Sequence, residues 1–196
     1  MSASYHFITH WDVPFPRDEV VDIISDAESL PRWWPSVYLE VKQLEAGDTK
    51  GVGRRISLYT KGWLPYTLRW NFTITESDPP NGFTLVADGD FIGRGIWTFE
   101  AAGERTHVTY DWKIDAEKPL LKYGSFILKP LFSRNHEWAM RQGEISLNLE
   151  LERRRALRDG AAPATTAPPA ATPSNAMAWL GSVTGLRRQA SPAHRE

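Results

Sequence analysis

The sequence predicts an α+β fold: a curved antiparallel sheet of about seven strands wrapped around a long C-terminal helix, with two short helices after the first strand. Three observations lead there. Tyr5–Val13 alternates apolar and polar side chains as a half-buried strand does; six more strand-like segments then follow with only short turns between them; and helical periodicity takes over from about Asn135 to Arg158. Six strands joined by short turns form an antiparallel meander, which must bury one face. Only the terminal helix is long enough to cover that face. A bent sheet gripping a helix leaves a gap between them, and the gap is a natural ligand cavity.

Each element has its own signal. In the first strand Tyr5, Phe7, Thr9, Trp11 and Val13 share one side, and Pro14 and Pro16 stop it. Val20, Val21, Ile23 and Ile24 give Arg17–Ser25 an apolar stripe at helical spacing, with Pro16 near its start. Ala27–Trp34 reads as a second short helix that Pro35 ends. The meander then runs through Val37–Leu44, Arg54–Tyr59, Tyr66–Glu76, Phe83–Asp90, Ile92–Glu100 and Thr106–Asp115. Gly47–Gly53, Lys61-Gly62, Pro79-Pro80-Asn81-Gly82 and Gly103 supply the turns. Leu120–Phe132 is apolar and reads as helix interrupted at Pro130. Beyond it, Trp138, Ile145, Leu149 and Ala156 fall on one helical face, with Met140, Leu147 and Leu151 nearly opposite. Two stripes mean a helix covered on both sides, or one stripe that lines something other than core.

Composition narrows the function. Of 196 residues 41% are apolar and 24% charged, with a formal net charge of −1, as in a soluble globular protein. Near-neutral charge argues against nucleic-acid binding, which needs a surplus of Lys and Arg facing phosphates. With no Cys, disulfides, thiolate metal sites and cysteine nucleophiles are excluded. Neither a secretory leader nor an apolar run long enough to span a membrane is visible, so a cytoplasmic protein without integral membrane association is expected. Composition shifts after Asp159: residues 160–196 hold 10 Ala and 5 Pro in 37 positions, a mixture with little to bury. The expected organisation is therefore a ligand-binding domain over residues 1–159 and a disordered Ala/Pro-rich tail over 160–196. Within that tail Trp179, Leu180, Val183, Leu186, Arg187 and Arg188 lie at helical spacing and suggest weak docking to a partner.

The segment Asp26-Ala-Glu-Ser-Leu-Pro-Arg-Trp33-Trp34-Pro35, following a strand and a Pro-started helix, resembles the START/pollen-allergen-like (SRPBCC) superfamily, most closely its polyketide cyclase/dehydrase and lipid-transport branch. The similarity runs over residues 3–157. It implies the helix-grip fold and an internal site for lipids, sterols, polyketides or other apolar molecules. Some members of that branch catalyse cyclisation or dehydration and many only carry, with no universal catalytic motif to transfer. The metal-ligand pattern of the Rieske-type members is missing. Two stretches, Thr60-Lys-Gly-Trp-Leu-Pro-Tyr-Thr-Leu-Arg-Trp70 and Asn135-His-Glu-Trp-Ala-Met140, look specific to a subgroup.

Eight of the nine tryptophans lie before Asp159, and aromatic side chains are large, stiff and suited to flat ligands. The expected binding set has Trp33, Trp34, Trp63 and Tyr66 at the rim and Trp70, Trp97, Tyr110, Trp112 and Trp138 along the wall; the competing reading is that these rings simply fill the core. No metal site is expected, because His6 and His10 stand roughly 13 Å apart along a strand, beyond reach of one ion. No cofactor is expected either. The catalytic residues stay unassigned. Asp88 with Asp90, beside Arg69 and Arg94, and His136 are the proton-transfer candidates, with a solvated outer face as the plainer reading of the aspartates. Gly47–Gly53 lacks the P-loop order, and no G-x-S-x-G nucleophile motif occurs. The predicted function is binding or transport of a hydrophobic small molecule. The alternative is a polyketide cyclase/dehydrase-type enzyme using Tyr, His or Asp in the same cavity.

Overall fold

Strand β1 (Ala3–Val13) leads through Pro14 and Pro16 into helix α1 (Arg17–Ser25), as the computed structural model shows over residues 3–116, 125–163 and 166–172. Asp18 and Glu19 in the first turn of α1 favour its N-terminal dipole, and Val20, Ile23 and Ile24 are buried. The expected second helix divides: a 3₁₀ turn (Ala27–Ser29) precedes the single turn α2 (Leu30–Trp33), and Trp34 closes it by donating its backbone N–H to the Leu30 carbonyl at 2.7 Å. Six strands follow: β2 (Tyr38–Glu45), β3 (Arg55–Lys61), β4 (Thr67–Asp78), β5 (Gly82–Gly89), β6 (Phe91–Ala102) and β7 (Arg105–Ala116). Helix α3 (Ser125–Arg158) ends the grip.

All seven strands form one antiparallel sheet in the order β1-β7-β6-β5-β4-β3-β2. The first strand thus returns to pair with the last, Phe7 opposite Trp112 and Trp11 opposite Val108. Register shifts between Ile74 and Glu76 in β4, and twice in β2, bend the sheet in the way bulges do. Its concave face carries Ile56, Leu58, Leu68, Trp70, Phe72, Leu85, Trp97, Phe99, Val108, Tyr110, Trp112 and Ile114, all buried. This is the helix-grip fold.

Helix α3 differs from expectation in two ways. It is continuous through Pro130, so the ring removes a single backbone hydrogen bond near the N-terminus without ending the helix. The part of the expected 120–132 segment before Ser125 falls outside the described residues, as does the 179–188 patch. Its apolar stripes are also unequal. Met140, Leu147 and Leu151 face the sheet, while Ile145, from the opposite stripe, is exposed. The buried face continues through Asn135, Gly143, Ser146 and Glu150, which are small or polar and so carry no hydrophobic signal. At Gly143 a Cβ would overlap the Trp34 ring, so a glycine is needed there for the indole to lie flat against the helix.

An ionic cluster fixes the C-terminal half of α3. The Glu150 carboxylate accepts hydrogen bonds from Arg153 at 2.6 Å and Arg154 at 2.9 Å and pairs with Arg32 of α2 at 2.9 Å. Burial alone would raise its pKa, but these guanidinium groups bring it down to about 2. Arg154 also reaches Asp22 and Arg158 reaches Glu19, each at 2.6 Å, tying α3 to α1.

Candidate functional site

Between the N-terminal half of α3 and the open end of the sheet lies a cavity of about 120 Å³. Its walls come from every layer of the fold: Tyr5 and Phe7 of β1, Trp34, Val37 and Tyr38 beside α2, Thr60 of β3, Leu68 and Trp70 of β4, Phe91 of β6, Tyr110, Trp112 and Ile114 of β7, and Phe132, Asn135, His136, Ala139 and Met140 of α3. Lys61, at the end of β3, and Gly62 and Tyr66 of the turn from β3 to β4 complete the lining.

Two glycines lie behind this wall. Gly93 and Gly95 lie on the inner side of β6, where a Cβ at Gly95 would come within 2.9 Å of the Tyr110 and Trp112 rings. Without side chains there, those rings lean over the strand and join a continuous aromatic ladder. Trp97 stacks on Tyr110 with centroids 4.1 Å apart, Tyr110 on Trp112 at 5.6 Å, and Trp112 meets Trp70 at 5.7 Å.

Of the nine aromatic residues expected at the site, five line the cavity: Trp34, Tyr66, Trp70, Tyr110 and Trp112. The other four do not. Trp33 is buried beneath α2, and Trp97 lies one step along the ladder, wedged between Trp11 and Tyr110. Trp63 is 37% exposed at the tip of the turn, and Trp138 packs half-buried on the core away from the cavity wall. Sequence reasoning passed over Tyr5, Phe7, Tyr38, Phe91 and Phe132 as wall residues, although the alternation of β1 already placed Tyr5 and Phe7 on its inner side.

The polar groups on the wall are few, and all but Lys61, whose pKa burial lowers, belong to side chains that are neutral here. The Trp70 indole donates to the Thr60 hydroxyl at 3.1 Å. Burial raises the phenol pKa values of Tyr38, Tyr66 and Tyr110, so all three stay protonated at neutral pH. His136 stacks on Phe7 with centroids 4.1 Å apart, and burial lowers its pKa to about 4, keeping the imidazole uncharged. Its Nε2 and the Trp34 Nε1 are enclosed without a hydrogen-bond partner among the described residues. Buried polar atoms in folded proteins are nearly always paired, which sets these two apart.

The two stretches singled out in the sequence meet here. The Asn135 carboxamide accepts a hydrogen bond from the Leu64 backbone N–H at 3.2 Å, and it fits because position 62 is glycine: a Cβ there would fall on that amide. The turn from β3 to β4 is thereby fastened to α3 directly over the cavity. The aspartates go the other way. Asp88 points to the outer face, paired with Arg55 at 3.0 Å and hydrogen-bonded by Asn71, and Asp90 accepts the Arg69 backbone N–H. His6 and His10 are outside too, on Asp111 and Thr109. Among the described residues no cluster of His, Asp or Glu could hold a metal ion, and no helix is long and apolar enough to cross a membrane.

No curated protein matches the chain significantly. Solved structures do match its fold. The Zhui aromatase/cyclase from a Streptomyces species superposes with a TM-score of 0.63 at 17% identity, over 81% of this chain and 99% of that one. A protein of Thermus thermophilus gives 0.60 at 18% identity, covering 80% and 100%. Norcoclaurine synthase from Thalictrum flavum, solved with dopamine and hydroxybenzaldehyde, gives 0.54 at 14% identity, covering 76% and 88%. A gripped helix, a bent seven-stranded sheet and an aromatic hollow between them accord with the family match over residues 6–143, by which this chain belongs to the polyketide cyclase/dehydrase and lipid transport family of the SRPBCC superfamily.

Proposed function

We propose that this protein is a cytoplasmic binding or carrier protein for a neutral, hydrophobic, ring-containing small molecule, held within the 1–159 unit between α3 and the sheet. The observation that supports this reading best is the wall itself: stacked aromatic rings enclosing a hollow, with few polar groups among them and Lys61 the one Lys or Arg side chain. Apolar cavities of roughly this size accept a single aromatic ring. A larger ligand would be seated by moving the 62–66 turn. Flat ligands would stack on the Trp70–Trp112 end of the ladder, and a hydroxyl or carbonyl would meet Trp34 Nε1 or His136 Nε2. Titration of tryptophan fluorescence with naringenin, cholesterol and palmitate tests the reading. Quenching or a spectral shift at tens of micromolar with the flavonoid, weakened at least tenfold in Trp112→Ala, is the expected result. No response to any of the three would end it.

A second reading, a cyclase/dehydrase-type enzyme, draws support from His136. An uncharged imidazole with a free ring nitrogen can accept a proton from an enol or phenol held against it, and the protonated tyrosines can return one. With Asp88 and Asp90 on the outer face, the proton-moving candidates are the titratable groups of the wall: His136, Lys61, Tyr5, Tyr38, Tyr66 and Tyr110. Turnover abolished in His136→Gln while flavonoid affinity holds would favour the enzyme over the carrier.

A further inference from the structure

The chain does not leave the fold at the end of α3. Residues 166–172 lie back on it: Thr166 and Pro168 border a groove formed by Arg32, Trp33, Ser146 and Glu150, and the Thr172 hydroxyl donates a hydrogen bond to the Gly62 carbonyl at 2.8 Å. Pro168, Pro169, Ala171 and Thr172 are all half-buried. The consecutive prolines restrict this segment before it docks, so little conformational entropy is lost in laying it down. Its far end lands on the turn whose Gly62 and Tyr66 line the cavity. That turn is consequently held from two sides, by Asn135 on the Leu64 N–H and by Thr172 on the Gly62 carbonyl. Neither hold is on the sheet itself.

We propose that residues 166–172 form a strap that fastens the 62–66 turn over the cavity, so that ligand exchange requires the strap to release. The inference rests on the cavity being the ligand site, as argued above. Thr172 is the clasp, and Gly62 is its anchor. Loss of the clasp raises both the entry and the exit rate of a ligand and alters the equilibrium affinity much less, because none of residues 166–172 lines the cavity.

The full-length chain is compared with two full-length variants, Thr172→Val and one whose residues 166–172 are replaced by Gly-Ser repeats of equal length. Backbone amide exchange across residues 62–66 and stopped-flow quenching by naringenin are the two measurements. One hydrogen bond of ordinary strength sets the scale at roughly fivefold for Thr172→Val, with a larger change for the replaced strap. Exchange at 62–66 and both rate constants should rise together, while exchange in β6 and β7 stays as it was. Unchanged exchange at 62–66 in the replaced variant overturns the strap. Faster exchange with unaltered rates overturns the gating role. Should naringenin bind no version while 62–66 still exchanges faster, the strap stands and the cavity reading falls instead.

Discussion

The two halves of the gap between sheet and helix are built by the same elements, yet one is solid and the other hollow. Over the C-terminal half of α3, Leu147 and Leu151 are fully buried, as are Val20 and Ile23 of α1, and the Glu150 cluster binds the three helices together. Over the N-terminal half the described residues show no counterpart of α1, and Phe132, His136 and Met140 line the cavity instead. The difference teaches where the hollow comes from. A curved sheet and one helix cannot fill their own gap; α1 fills one end with branched aliphatic side chains, and the other is walled by stiff rings, with Tyr110 and Trp112 lying over Gly95.

Equal deletions at the two ends should therefore cost unequal amounts. Leu147→Ala removes a side chain packed on every side and should destabilise by about 3–4 kcal/mol. That lowers the melting temperature by roughly 10 °C in a domain of this size. Leu68→Ala removes the same atoms from the cavity wall, where one side of the leucine already lacks neighbours, and should cost about 2 kcal/mol. Thermal melts of both variants decide it: a Leu68→Ala loss equal to or above that of Leu147→Ala would mean the hollow is packed as tightly as the core.

The same contrast explains what could be read in advance. Strand order, antiparallel pairing and the closing helix followed from period-two alternation and short turns, because a buried sheet face leaves that pattern directly in the sequence. The solid end was legible for the same reason, in Val20, Ile23, Leu147 and Leu151. The hollow end was only half legible. A ring that lines a cavity and a ring that plugs a core give the same letter in the same register, so Trp70 and Trp97 could not be told apart; only the three-dimensional neighbour, open space or Trp11, separates them. On α3 the buried stripe passes through Asn135, His136, Gly143, Ser146 and Glu150, and a hydrophobicity pattern misses a face made of polar and small residues. The better clue was the unusual Asn135–Met140 stretch itself.

Acid should find the hollow end first. His136 titrates near 4 in the folded chain against 6.5 for the free side chain, so the unfolded chain binds more protons between those values. Stability is then full above pH 6.5 and falls as pH drops toward 4, by about 2 kcal/mol at pH 5. Glu150 adds its own loss only lower, between about 4.5 and 2, because its folded pKa is depressed. Urea denaturation of His136→Gln across pH 4–7 should be nearly flat down to about pH 5, where the natural chain slopes. Parallel slopes would place the titrating group elsewhere.

The smallest effect should be a gain. Ala139 lines the cavity from α3, with space in front of its methyl group, and Ala139→Leu projects three more carbons into that space on a residue of high helix propensity. Filling a void of this kind typically stabilises by about 1 kcal/mol. The reverse experiment at the solid end, Leu147→Phe, has no space to enter and should destabilise by about 1–3 kcal/mol through overpacking. Opposite signs from two additions on one helix, read as opposite shifts in urea midpoint, would isolate the hollow more cleanly than any deletion. The stabilised variant should also lose flavonoid quenching, since its new side chain occupies the space a bound ring would need. A protein in which Ala139→Leu raises stability and leaves binding intact would hold its ligand somewhere other than beneath α3.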